Sequence, residues 1–136
     1  MKYLQLAATD RLPNLPEFKP CKAVLIVETS ITPDQRADIS QWLIATGCLY
    51  MMAWGLDCAS WAHSTQLANR KAFDQPEIPD QSLVITTWHE DVPLKDVFWF
   101  AKHTASHPCS RLNNVLLLHL SAEGREQELY DEYLAA

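Results

Sequence analysis

The side chains best suited to chemistry in this chain are a thiol, an imidazole and a carboxylate in three separate segments: Cys58, His89 and Glu28. A thiol becomes a nucleophile when an imidazole takes its proton and a carboxylate orients that imidazole. Cys58 follows Asp57, a predicted helix cap, and the helix dipole at that position favours a thiolate. The charge of Asp57 opposes that ionisation. The three residues are candidates for catalysis on residue type alone, and no catalytic residue is assigned.

A polar and aromatic run follows the third predicted strand, with the sequence Thr86-Thr87-Trp88-His89-Glu90-Asp91. His89 titrates near neutral pH and suits a base, an acid or a metal ligand. The alternative is a histidine that a neighbouring carboxylate holds in place to shape a loop. Trp88 suits either a pocket wall or the core. The run is therefore a candidate for binding as well as for catalysis.

Motifs for metals and cofactors are incomplete or missing. His103 and His107 are one helical turn apart and precede Cys109, which is the spacing of a partial metal site. They fall at the end of a predicted helix, where histidines commonly complement the dipole, so no metal is predicted. The chain has three glycines, and neither a dinucleotide-binding turn nor a phosphate loop can be written from them. No cofactor is expected.

Four largely apolar runs predict strands, and the first, which is rich in β-branched residues, is typical of a parallel sheet covered by helices. They are residues 23–27, 49–54, 83–87 and 115–120. Helices are predicted between and after them. The first has a capping box at Thr32–Gln35 and ends at Gly47; the others begin at Asp57, Pro93 and Ser121.

This alternation predicts an α/β fold, a three-layer sandwich with a mainly parallel four-stranded sheet. We favour the flavodoxin-like strand order 2-1-3-4 over the Rossmann-type order 3-2-1-4. Ligands bind outside the carboxyl ends of such strands, where the order reverses. The favoured order brings Glu28 and His89 together there. The predicted ligand-binding residues are Trp54, Asp57, Thr87, Trp88, His89, Glu90 and Asp91.

Length and charge limit the remaining possibilities. The 136 residues suit one α/β domain at 21–136, preceded by an extended arm at 1–20 that contains Pro13, Pro16 and Pro20. The alternative for residues 3–6 is a short edge strand. A formal net charge of −6 disfavours nucleic acid. No apolar stretch is long enough to cross a bilayer, and the start lacks a signal peptide. We therefore expect a cytoplasmic protein with no membrane partner and with reduced cysteines.

Two longer motifs resemble those of a small family of bacterial proteins classified only as a domain of unknown function. They are Gly47-Cys48-Leu49-Tyr50-Met51-Met52-Ala53-Trp54-Gly55 with Asp57-Cys58, and the run 86–91 continuing to Phe98-Trp99-Phe100-Ala101-Lys102-His103. The resemblance covers most of the chain from the first strand onward. It implies a bacterial, stand-alone, cytosolic domain and transfers no activity, ligand or residue role.

Three functions are compatible with these residues. The leading interpretation is a binding module, of the interaction, regulatory or immunity type, whose carboxyl sheet edge recognises a protein or a small molecule. Its acidic charge suits a basic partner. The alternative is a hydrolase or transferase that uses Cys58 and His89, and a third possibility is a subunit of a homodimer. Burial of Cys58 against apolar side chains would count against the enzyme.

Overall fold

The fold, taken from a computed structural model, is a parallel β-sheet with helices on both faces, which confirms the predicted α/β class. The structure describes residues 1–7, 11–14, 18–73 and 77–136. The strands are β1 (Lys2–Leu6), β2 (Cys21–Val27), β3 (Cys48–Gly55), β4 (Ile85–His89) and β5 (Asn114–Leu120). The helices are α1 (Pro33–Thr46), α2 (Cys58–Lys71), α3 (Leu94–His103) and α4 (Glu126–Ala135), with a short 3₁₀ turn at Asp80–Ser82.

The sheet has five strands in the order β1-β5-β2-β3-β4, so the favoured order 2-1-3-4 is wrong. The four strands expected from the sequence, β2 to β5, follow the Rossmann-type order that we ranked second. The composition of the strands explains this result. Six of the seven β5 residues are buried, as a central strand requires, whereas no residue of β4 is fully buried. The polar run in β4 is tolerated at an edge of the sheet and not in its centre.

The N-terminal segment contributes a strand to the sheet. Lys2–Leu6 form β1, which pairs in parallel with β5 and makes the other edge. The prediction of an extended arm also falls on residues 8–10 and 15–17, which include Pro16 and lie outside the described residues.

Local sequence patterns predicted three of the four helices correctly. Thr32 and Gln35 form both hydrogen bonds of the capping box, and Gly47 ends α1 in the left-handed conformation. The predicted apolar face of α3 is buried at all four of its positions: Leu94, Val97, Phe98 and Ala101. The predicted start of α4 is wrong. The hydroxyl of Ser121 accepts a hydrogen bond from the Glu123 amide in a turn, and the helix begins only at Glu126.

Two apolar cores lie on opposite faces of the sheet. Alternate residues of β2 divide between them, because successive side chains of a strand point to opposite faces. Ala23 and Leu25 pack with α1 and α2 on one face, whereas Val24 and Ile26 pack with α3 and α4 on the other. Within the described ranges, no helix has the length and apolar character needed to cross a membrane.

Candidate functional site

An open cleft of about 540 Å³ lies at the carboxyl ends of β3 and β4. The end of β3, the first turn of α2 and the segment after β4 form its walls. The lining residues are Trp54, Gly55, Asp57, Cys58, Ala59, Ser60, His89, Glu90, Asp91 and Val92. This edge of a parallel sheet is where ligands of open α/β folds bind.

The backbone around the cleft adopts unusual conformations. Gly55 has φ of 101°, and a Cβ at this position would lie 2.1 Å from the carbonyl oxygen of Val27, so only glycine fits. Asp57 and Asp91 have φ of 55° and 57° and are the only non-glycine residues with positive φ in the part of the chain that the structure describes. Left-handed backbone costs an L-residue roughly 1–2 kcal/mol. Such conformations cluster at functional sites.

Three carboxylates give the cleft a negative charge: Asp57, Glu90 and Asp91. Its described lining contains no lysine or arginine, and none of the three carboxylates forms an ion pair within the described residues. Asp57 stands at the cap position of α2, yet its side chain makes no capping hydrogen bond. The described residues around the cleft therefore do not neutralise these three carboxylates.

The His89 side chain forms part of the cleft wall and is held by contacts within the protein. Its Nε2 lies 2.9 Å from the hydroxyl of Thr87, and its ring centroid lies 5.0 Å from that of Phe100. Burial lowers the pKa of the imidazole below its usual value of 6.5. The ring is therefore neutral at pH 7 and adds no positive charge to the cleft.

Trp54 forms the neighbouring wall of the cleft, where its indole N–H donates to the carbonyl oxygen of Val92 at 2.8 Å.

Two predicted ligand-binding residues do not line the cleft. The hydroxyl of Thr87 contacts His89. Trp88 is 51% exposed and lies on the other face of β4. The strand runs from Ile85 to His89, two residues later than predicted. Trp88 and His89 therefore lie within the strand instead of following it.

Cys58 does not form a nucleophile–base pair with His89. Its side chain is buried, at 4% exposure, in the apolar core beneath α1 and α2. The His89 ring instead contacts Phe100, which packs against the core under α3. Burial, and secondly the charge of Glu90, raise the pKa of the thiol, so it stays protonated at neutral pH.

The true reversal of strand order lies between β2 and β5, where Glu28 joins a network that the sequence did not reveal. His119 is fully buried. Its Nδ1 lies 2.7 Å from the hydroxyl of Tyr3, and its Nε2 contacts Glu28. The Tyr3 oxygen accepts the backbone N–H of Arg125 at 2.9 Å, and the Arg125 guanidinium donates to Glu28 at 2.5 Å. An ionised carboxylate only accepts hydrogen bonds, so Nε2 of His119 donates to Glu28.

This network connects the ends of β2 and β5 with β1 and with the residue before α4. Burial raises the pKa of Glu28, but the hydrogen bonds from Arg125 and His119 outweigh that effect and the net pKa is lowered. The predicted proximity of Glu28 and His89 is wrong, because β3 separates their strands. A single histidine inside an otherwise apolar strand was the signal that could have identified His119.

The histidines after α3 have partners within the protein. Nε2 of His107 lies 2.8 Å from the Leu83 carbonyl oxygen, and its Nδ1 accepts the Cys109 amide at 3.1 Å. The ring of His103, the last residue of α3, contacts that of Trp99 in a tilted arrangement, with ring centroids 4.9 Å apart. His107 therefore bonds to loop residues, whereas His103 contacts a residue of its own helix.

The fold and the cleft define an α/β protein with an open parallel sheet and an acidic cleft at its carboxyl edge. The chain belongs to the family described as Domain of unknown function (DUF7684), which it matches over residues 1–136. The resemblance to a family of unknown function is thereby confirmed. No curated protein and no solved structure matches the chain.

Proposed function

We propose that this protein is a binding module that holds a positively charged group of a basic partner in the cleft between β3 and β4. The observation that carries the proposal is a set of three carboxylates that form no ion pair within the described residues: Asp57, Glu90 and Asp91, two of them on left-handed backbone. A conformation that costs free energy in a cleft is typical of a site kept for binding.

The electrostatics of the cleft favour an amine or a guanidinium. Each carboxylate can accept charge-assisted hydrogen bonds from a cation, and three of them in one cleft add their attractions. The indole of Trp54 adds an aromatic surface on which a cation can stack. The net charge of −6 further speeds the approach of a basic partner.

The surroundings of Cys58 and His89 argue for binding over catalysis. A nucleophilic cysteine needs a lowered pKa and a base within reach. Burial raises the pKa of Cys58 instead, and the His89 imidazole lies toward the opposite core. We therefore do not propose the hydrolase or transferase alternative.

The test measures the affinity of a fluorescently labelled oligolysine peptide by anisotropy at low salt. The cleft variant carries Asp57→Asn, Glu90→Gln and Asp91→Asn. The control variant carries Glu123→Gln, Glu126→Gln and Asp131→Asn, which neutralise three exposed carboxylates outside the cleft. Both variants change the net charge by the same amount, so a difference between them reports the cleft itself.

We expect the cleft variant to bind at least about tenfold more weakly than wild type, as the loss of three charge contacts of roughly 0.5 kcal/mol each implies. The control should stay within about threefold. Equal weakening of both variants would show that only overall charge attracts the peptide, and would contradict the proposal. So would an absence of binding to the wild-type protein.

A further inference from the structure

The two edge strands of the sheet, β1 and β4, differ in how they are protected from pairing with another chain. At the β1 edge, the Tyr3 amide donates to the hydroxyl of Tyr130 at 3.0 Å, and the strand carries a charged residue, Lys2. Proteins use charges and covering side chains to keep edge strands from pairing with other chains. The β1 edge is therefore protected.

Within the described residues, Gln66 donates to the Thr86 hydroxyl at 2.6 Å, but no side chain bonds to the free backbone groups along the β4 edge. Just before the strand, the Val84 amide donates to the Asn69 side chain at 3.0 Å, and the Leu83 carbonyl oxygen contacts His107. Among the described residues, the backbone groups of 85–88 form no hydrogen bond except to β3. The strand, Ile85-Thr86-Thr87-Trp88-His89, contains neither proline nor a charged side chain. The covering contacts thus stop where the strand begins.

We infer that an extended, basic peptide segment of the partner adds to β4 as a sixth strand and places a cationic side chain in the cleft. This inference rests on the proposed function and identifies its ligand. β4 runs directly into Glu90 and Asp91, so a strand paired with it arrives at the acidic cleft. Backbone hydrogen bonds supply affinity in such strand addition, and side-chain sites supply specificity. The exposed indole of Trp88 offers a stacking surface beside the added strand.

Charge favours a basic peptide over a second copy of the chain. Pairing β4 with β4 of a second copy would join two molecules that each carry a net charge of −6. It would also leave both clefts without a cation. A basic segment neutralises the cleft while it pairs with the strand.

The experiment uses the full chain and an acetylated, amidated peptide of about seven residues with alternating lysine and valine, matched to the length of an edge strand. A second peptide of the same sequence is N-methylated at alternate residues, which removes backbone donors and keeps the charge. Anisotropy gives the affinities, and hydrogen exchange reports protection of the β4 amides. Modifying the peptide avoids a proline substitution in β4, which could unfold the protein.

We expect slower exchange at the β4 amides in the presence of peptide, and at least about tenfold weaker binding of the N-methylated form, since two or more hydrogen bonds are lost. The cleft variant should also bind the unmethylated peptide more weakly. If methylation has no effect while the cleft variant still loses affinity, strand addition is overturned and the cleft function stands. If the cleft variant binds as tightly as wild type, the proposed function fails, and the inference with it. Dimerisation without peptide that protects β4 would instead assign the edge to a second copy.

Discussion

At the carboxyl end of β4, the backbone of Asp91 is left-handed, with φ of 57°. The side chain carries no ion pair among the described residues that would stabilise this conformation. Its strain is explained if the residue is held in place to present a carboxylate to the cleft. This explanation makes two claims about Asp91, that its backbone is strained and that its carboxylate is presented to the cleft. Each claim can be tested by itself.

We predict that Asp91→Gly leaves the free energy of unfolding unchanged or raises it by up to about 1 kcal/mol, because glycine adopts positive φ without a steric penalty. Asp91→Ala should be less stable than Asp91→Gly by up to about 1 kcal/mol and no more stable than wild type, because its Cβ retains the clash that glycine removes. Urea unfolding measures both variants. Equal stabilities of the glycine and alanine variants would show that this backbone is not strained.

At the scale of elements, strand β1 and helix α4 are joined through one hydroxyl. The Tyr3 oxygen bridges His119 of β5 and the Arg125 amide just before α4. The Tyr3 amide in turn reaches the hydroxyl of Tyr130 on α4. A short edge strand is thereby fixed to the body of the protein by polar contacts as well as by its pairing with β5.

We predict that Tyr3→Phe lowers the free energy of unfolding by about 2 kcal/mol, because it leaves a buried imidazole nitrogen and a backbone amide without their partner. The matched control is Tyr50→Phe. Tyr50 is also a largely buried strand tyrosine, but its hydroxyl makes no hydrogen bond within the described residues, so its loss should cost under about 0.5 kcal/mol. Equal losses in thermal or urea unfolding would contradict the bridging role of Tyr3.

At the scale of the whole molecule, the strand order creates two separate regions at the carboxyl edge. Glu28 lies at the reversal between β2 and β5, where it is hydrogen-bonded to His119. His89 lies at the open cleft beyond β3. The favoured sequence-based order would have made these residues neighbours. Their energetic coupling therefore depends on topology.

Double-mutant cycles can measure that coupling. We predict that Glu28→Ala and His119→Leu are non-additive by about 1 kcal/mol or more, because the two side chains touch. Glu28→Ala and His89→Leu should add to within about 0.5 kcal/mol, since a strand lies between them. Urea unfolding of the single and double variants provides the values. Strong coupling of Glu28 with His89 would contradict the observed strand order.

The sequence by itself determined the local elements and the residues available to a site. Apolar runs identified four strands, the capping box and Gly47 identified both ends of α1, and spacing identified the buried face of α3. Five of the seven predicted ligand-binding residues line the cleft, because the end of one strand and the start of the next helix are local features: Trp54, Asp57, His89, Glu90 and Asp91. Local sequence is sufficient for such features, since they depend on neighbouring residues alone.

Only the tertiary structure decided which of these residues meet. Strand order depends on non-local pairing and on how much apolar surface each strand can bury, so Glu28 was assigned to the wrong neighbours. The same holds for pKa: whether Cys58 is a thiolate depends on its burial beneath α1 and α2 and on the charge of Glu90. The partnership of Tyr3 with His119 spans 116 positions, and no local pattern encodes it. The order of the strands, which long-range contacts decide, thus separates the network of Glu28 and the buried His119 from the acidic cleft at β3 and β4.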